Sequence, residues 1–504
     1  MTHQRPTSHP QKIVVIGGGI GGLSVAARLA KLGHHLSLYE ASDRLGGKCR
    51  TETFDGYSFD IGPSLLTLPA VYRDLFLKTG KRIEHLLEIK PVDPSFTYIF
   101  HDGKKVTFPN LSHNGTVDAM AESFGKDAAE AWHKILTRAE KMWDVSRADF
   151  IEHELKPRNF LKRKTFISDL FTIAPWTSLR ALVNSYTTND YIRKIIDRYA
   201  TYTGSDPRRV PAVLLTIAFV EEAFGAWHIS GGLGQLGPAL AQRCRDLGVD
   251  IHTNREVTEI LTVNGKATGI LLATGERIAA DIVISNSDVQ NTYKALVRHD
   301  RAAARPRRAL KRATPSLSGF TMMLGLRGRS DLSHHTVLFP QNYDDEFDAI
   351  FTRFEPVKDP AIYICNPKDP SMTPSPDHEA WSVLINAPRH EPGHGCDWDT
   401  PGLKESYAEK MIDVMEERGL KVRDRIELMK IRTPADLERD HLAPGGSIYG
   451  TSSNGARSAF LRAKNQSTIE NLYCVGGSAH PGGGLPLVGI SAEIVADAIA
   501  AKEK

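Results

Sequence analysis

Lys12-Ile13-Val14-Val15-Ile16 runs straight into Gly17-Gly18-Gly19-Ile20-Gly21-Gly22, and no other stretch of the 504 residues constrains the fold as tightly. The apolar run reads as a buried parallel strand. The glycines supply G-x-G-x-x-G, and the apolar spacing from Leu23 to Leu32 is helical until Gly33 stops it. A second short strand, Leu36 to Tyr39, ends on an acid, Glu40. Gly17 permits a tight turn, Gly19 lets the main chain approach a pyrophosphate, and Gly22 lets helix and strand pack closely. The helix start at Ile20 then faces the phosphates, and Glu40 is placed to accept ribose hydroxyls. The expectation is an α/β chain with a Rossmann-like dinucleotide-binding domain.

Composition acts mainly by exclusion. Lys+Arg 63 against Asp+Glu 60 gives a net charge of +3, and the basic residues are not gathered in one half, so nucleic-acid binding has no support. Five cysteines (Cys49, Cys244, Cys365, Cys396, Cys474) are odd in number, far apart and without a CxxC pair. Neither a disulfide framework nor a structural zinc site follows, and a reducing cytoplasmic setting is expected. No run of about 18 apolar residues lacks Gly and Pro, so no membrane-spanning helix is expected.

The residues after the first motif choose the dinucleotide. Arg44-Leu45-Gly46-Gly47-Lys48 comes just after Glu40-Ala41, and Asp60-Ile61-Gly62-Pro63-Ser64 closes the segment. This arrangement resembles the flavoenzymes that include amine oxidases and carotenoid desaturases, where a second glycine pair and an arginine secure FAD. The resemblance implies non-covalent FAD held by Gly17, Gly19, Ile20, Gly22, Glu40, Ala41, Arg44, Gly46, Gly47, Gly62, Pro63 and Ser64. It also lays Val257 against the adenine part. Gly248 to His252 and Glu256 to Ile260 read as a strand pair after a helix over 234–247, with Asn264-Gly265 turning a hairpin toward Ala280 to Asn286. Leu472 to Gly477 is another strand running into glycines, and Gly482 to Val488 leads into a helix over 490–501. Gly477, Leu487 and Val488 and the first amides of that helix are expected beside the flavin ring. Cys474, mid-strand, reads as a small core residue rather than a flavin anchor.

Gly225-Ala226-Trp227-His228 with Gly231-Gly232, Ser333-His334-His335-Thr336, and His480-Pro481-Gly482-Gly483-Gly484-Leu485-Pro486 narrow the likeness. From about Lys12 to the C-terminus the chain is similar to the bacterial phytoene desaturase family. That resemblance implies introduction of double bonds into a long apolar polyene by hydride transfer to flavin. It further implies peripheral attachment to the cytoplasmic face of the membrane, with a quinone or oxygen taking the electrons. Oxidation of a carotenoid terminal methyl group and 3,4-desaturation of a hydroxycarotenoid are the neighbouring alternatives, with an amine oxidase further off. A non-catalytic prenyl-binding escort on the same fold is the alternative of another class; Glu40, Arg44, Gly46 and Gly47 together argue against it. No catalytic base is assigned: Glu221 and His228 are the candidates, and structural roles are the plainer reading of both.

The expected organisation is a discontinuous FAD domain (11–75, 230–300 and 440–504), a sheet domain for substrate (76–115 and 310–439) and a helical, membrane-contacting insert (116–229). Lys156, Arg158, Lys162, Arg163 and Lys164 interleave with Phe160, Leu161, Phe166, Phe171 and Trp176, a pattern suited to an anionic membrane surface. No metal site is expected. His390-Glu391-Pro392-Gly393-His394 matches H-E-x-x-H in letters, but Pro388, Pro392, Gly393 and Gly395 forbid the helix that motif needs. His334-His335 is adjacent rather than spaced for chelation.

Overall fold

The computed structural model describes residues 7–153, 165–455 and 462–502. Three separated pieces of chain build one parallel five-stranded sheet, in the spatial order Leu472–Cys474, Ile282–Ser285, Lys12–Ile16, His35–Tyr39, Asp250–His252. Lys12–Ile16 lies at its centre, with Ile13 and Val15 in one apolar cluster and Val14 and Ile16 in another. Burial on both faces explains why this strand reads as an unbroken apolar run. Helices Ile20–Lys31, Leu236–Asp246 and Leu485–Ala501 share the first cluster. The antiparallel strands Val257–Val263 and Lys266–Leu272, joined to Arg277–Ala279, share the second.

Two local expectations change. Asp250–His252 does not pair with the strand that follows it; it joins the edge of the parallel sheet beside His35–Tyr39, where the rings of His252 and Tyr39 stack at 4.8 Å. The hairpin turn at Asn264-Gly265 forms, but it folds Val257–Val263 onto Lys266–Leu272, leaving Ile282–Ser285 to the parallel sheet. The C-terminal helix also starts earlier than expected, at Leu485, because Pro486 falls in the first turn, where a missing N–H costs nothing.

A second sheet of seven strands runs Ile426–Arg432, Ser318–Arg327, His378–Ala387, Ile362–Cys365, His335–Leu338, Phe96–Ile99, Lys105–Phe108. Against its last strands pack helices Lys126–Ser146, Asp190–Thr201 and Thr216–Phe224, burying Phe96, Tyr98, Phe108, Trp132 and Tyr199 in one layer. Ile89–Pro91 pairs with Trp227–Ile229 beside it. The expected basic stretch Lys156, Arg158, Phe160, Leu161, Lys162, Arg163 and Lys164 lies outside the described residues. His390 to His394 folds as a turn, with the amides of His394 and Gly395 both donating to Glu391, so no helix sets the two histidines on one face. Among the described residues no helix is long and apolar enough to cross a membrane.

Candidate active site

The first glycine turn is built as its spacing requires. Gly17 has φ of 92°, and a Cβ on Gly22 would overlap the Gly17 carbonyl oxygen, so only glycine lets the helix begin this close to the strand. Ile20 is buried as the first helical residue. Glu40 Oε2 accepts the Gly18 amide at 2.7 Å, while Oε1 accepts the Ser42 amide and hydroxyl at 2.9 and 2.8 Å. Three donors leave about one of a carboxylate's four acceptor positions for a ribose hydroxyl.

The second glycine pair lies on the first. The Gly46 amide donates to the Gly18 carbonyl at 2.8 Å, and Gly47 faces Gly19 across a Cβ-free gap. Ala41 is exposed, and the Arg44 side chain, 57% exposed, sits with Asp43 and Glu52 at 3.8 and 3.4 Å. Lys48, next in the motif, has a buried ammonium that donates to the carbonyls of Ser447 and Ile448 at 3.2 and 3.0 Å. Burial pushes its pKa down, and Asp288 pulls the other way. Gly62 backs onto the Lys48 carbonyl; Pro63 and Ser64 come next, half-buried.

The C-terminal glycines complete the surface. Gly477 packs near Gly483 and the Val488 side chain, at the mouth of helix Leu485–Ala501, with Leu487 half-buried alongside. Val257 is buried in the cluster that holds Tyr39, just before Glu40. Cys474 is fully buried mid-strand. Sequence reading missed Asn286: a Cβ on Gly19 or Gly21 would stand 2.6 Å from its amide, and one on Gly476 2.7 Å, so this side chain joins the N-terminal turn to the C-terminal one. It also missed buried Arg462, which donates to the carbonyls of Tyr449 at 2.8 Å and Gly477 at 3.3 Å. Position at the end of a parallel strand was the available signal for Asn286; Arg462 had none. A Cβ-free cradle, a fixed acid at its lip and a helix start at its floor fit the FAD that the motifs implied.

The two candidate bases are both engaged. Glu221 is buried and accepts the hydroxyls of Tyr199 and Tyr202, each at 2.8 Å. Burial pushes its carboxyl up, against the pull of Arg198 and the two phenols. His228 Nε2 lies 2.9 Å from Asp369 Oδ2, and its ring meets His334 at 5.1 Å. His335 continues the line: Nδ1 is 2.8 Å from the Tyr363 hydroxyl, which accepts from Ser64 at 3.0 Å. Burial pushes His334 down to about 3, so its ring is neutral. His335 opens strand His335–Leu338 and pairs in register with Cys365, bringing ligand atoms of His334, His335 and Cys365 within 4.8 Å of one another. That meeting across two strands was invisible in the adjacent pair of histidines.

Cradle and motifs together define an FAD-dependent oxidoreductase. The sequence signature of the flavin-containing amine oxidoreductases matches residues 20–346, and the chain belongs to that family. It is similar to 4,4'-diaponeurosporene oxygenase of Staphylococcus aureus strain USA300, with 31% identity over 500 residues covering 97% of this chain and 98% of the relative. Among solved structures it resembles an oxidoreductase from Methanosarcina mazei (TM-score 0.63, 18% identity, 98% of this chain and 100% of that one). Wild-type putrescine oxidase bound to putrescine is comparable (TM-score 0.63, 14% identity, 98% and 99% of the two chains). At these identities the structural likeness speaks for the fold.

Proposed function

We propose that this flavoenzyme oxidises a carotenoid, removing hydride from an allylic carbon of a long apolar polyene. The observation that carries the reading is the 31% identity to an oxygenase of 4,4'-diaponeurosporene along nearly the whole of both chains. FAD supplies the hydride acceptor when bound. An unactivated C–H offers a base no polar handle, so the protein's share is to align the polyene and keep water out. Hydride loss leaves a cation delocalised along the chain. Addition of one admitted water at that carbon, its oxygen forming the C–O bond and a proton leaving, gives terminal oxidation, the reading favoured by the relative; loss of a neighbouring proton gives desaturation, the reading favoured by the His480 to Pro486 motif.

Gly17, Gly19, Ile20, Gly22, Glu40, Gly46, Gly47, Gly477 and Val488 hold the cofactor in this reading, with Asn286 and Arg462 bracing the turns. Ala41, Arg44, Gly62, Pro63, Ser64, Val257 and Leu487 line its edges. Electrons pass on to a quinone or oxygen, and the enzyme works as a peripheral protein at the cytoplasmic membrane face. Expression in cells that accumulate an acyclic carotenoid, with mass analysis of the pigments, tests this. Oxygen gained at a terminal carbon identifies terminal oxidation, and paired hydrogens lost without oxygen identify desaturation. An unaltered polyene beside flavin-loaded protein overturns both.

A further inference from the structure

Helix Lys126–Ser146 buries Trp132, Ile135, Leu136, Ala139, Met142 and Trp143 on one side. Lys134, Arg138 and Lys141 stand at i, i+4 and i+7 on the other. With His133, Thr137 and Tyr186 these three basic residues line an open cleft of about 300 Å³ that contains no carboxylate residue in its wall. Lys134 shares its charge with Glu130 at 2.6 Å; among the described residues no acid pairs with Arg138 or Lys141. Arg138 instead donates to the carbonyls of Phe171 and Thr172 at 2.6 and 2.7 Å, with its Nε buried and unpartnered.

Those carbonyls belong to helix Phe166–Ile173, whose exposed residues are Ile167, Ser168 and Phe171. Eight large apolar side chains stand exposed among the described residues, and three of them fall within ten residues here: Ile167, Phe171 and Trp176 at 69, 65 and 61%. Phe171 and Trp176 touch edge to face at 5.5 Å. Single exposed apolar residues are ordinary, whereas a contiguous group beside a cationic cleft is an interaction surface. Arg138 joins the two halves, since one guanidinium both faces the cleft and ties down the apolar helix.

We propose that this surface is a docking site for an anionic phospholipid, with the phosphate in the Lys134–Arg138–Lys141 cleft and Ile167, Phe171 and Trp176 in the acyl boundary. The assignment rests on the peripheral-membrane part of the functional reading and names its partner and residues. An anion with an attached hydrocarbon satisfies both halves, whereas free phosphate satisfies only the first.

Flotation of full-length, flavin-loaded protein with vesicles tests it, using phosphatidylglycerol mixed into phosphatidylcholine against phosphatidylcholine alone. The expected result is binding to the anionic vesicles only, weakened at least tenfold by Lys134→Glu with Lys141→Glu and by high salt. Lys134→Arg with Lys141→Arg should preserve binding, and Phe171→Ser with Trp176→Ser should weaken it without removing its salt dependence. Flavin absorption, unchanged in every variant, guards against misfolding, and Lys141→Gln alone should give an intermediate loss. Equal binding to both vesicle types, or binding untouched by charge reversal, overturns the proposal. So does inorganic phosphate that fills the cleft and releases the vesicles at low millimolar concentration, which marks a free-phosphate site. Turnover of a detergent-dispersed polyene is read separately: protein that floats but is inert on polyene counts against the functional reading alone, and protein that oxidises polyene without floating counts against this surface alone.

Discussion

His228 and Asp369 meet at 2.9 Å, Nε2 to Oδ2, with side chains only 9 and 11% exposed. Asp369 also accepts the Gly231 amide at 2.8 Å and the amide and hydroxyl of Ser371 at 2.9 and 2.7 Å. Burial alone would raise this carboxyl; the Gly231 amide, His228 and Ser371 outweigh it and hold it far below the ordinary carboxylate range. The pair therefore clamps the glycine-rich segment before helix Leu236–Asp246 to the loop after strand Ile362–Cys365.

Asp369→Ala should destabilise the fold by about 1–3 kcal/mol, the cost of leaving the buried His228 ring and the part-buried Gly231 amide without their partner. His228→Asn should lose less and keep measurable turnover. Chemical denaturation and initial rates at equal flavin occupancy check both. Catalysis abolished in His228→Asn while substrate still binds would show that the imidazole acts on the substrate.

Glu221 serves two phenols, so Glu221→Gln should stay within about tenfold of the parent rate, whereas losing a positioned general base costs about 10²–10⁴-fold. The pH–rate profile decides. A vanished limb together with the larger loss would make Glu221 the proton acceptor.

Gly22→Ala places a methyl group against the Gly17 carbonyl. Overpacking of this kind costs about 1–3 kcal/mol, and here it also pushes the helix start away from the cofactor's phosphates. The expected outcome is a folded protein with most of its flavin absorption gone, measured after equilibration with excess FAD.

His480 is buried, and its Nε2 lies 3.0 Å from the His153 carbonyl. Burial pushes its pKa down from 6.5 to about 4, with Arg462 adding to the effect and the carbonyl opposing it. Between those values the unfolded chain holds the proton and the folded one does not. Stability is therefore present above about pH 6.5 and lost as pH falls toward 4, by on the order of 3 kcal/mol. Denaturant midpoints measured between pH 7 and 4 should fall less steeply in His480→Gln than in the parent.

Among the described residues, two groups of side chains have the composition of metal ligands: His334, His335 and Cys365, and His390, Asp397 and Asp399. In the first, one nitrogen of His335 serves Tyr363, and burial raises the Cys365 thiol, keeping it protonated. In the second, Asp399 is paired with Arg439 at 2.9 Å. Prolonged chelation should leave flavin content, turnover and thermal midpoint unchanged. Activity lost to the chelator and restored by zinc would mark one of them as a metal site.

The Gly17–Glu40 unit was legible because its demands are local: a turn, a helix start and an acid at fixed spacing. The strands were legible where burial on both faces leaves an apolar run, as in Lys12–Ile16. Asp250–His252 was misplaced because three residues carry too little pattern to choose a neighbour, and the choice is made at the sheet edge by Tyr39. Asn286 and Arg462 acquire their roles from turns that are close only in space. Glu221 and His228 drew notice because they lie in or beside the Gly225 to His228 segment, but Tyr199, Tyr202 and Asp369, which explain them, come from other elements.

The placement of Leu472–Cys474 beside Ile282–Ser285 has a consequence for biogenesis. During synthesis the Gly17 turn emerges first, yet the wall formed by Gly476, Gly477 and helix Leu485–Ala501 is made last. In the proposed reading the nucleotide cleft stays half-built while most of the chain is added, and flavin is enclosed only once the last strand and helix are in place. A cell short of riboflavin would then accumulate full-length chains stalled at closure, not truncated ones, and their protease sensitivity should concentrate around this final strand and helix.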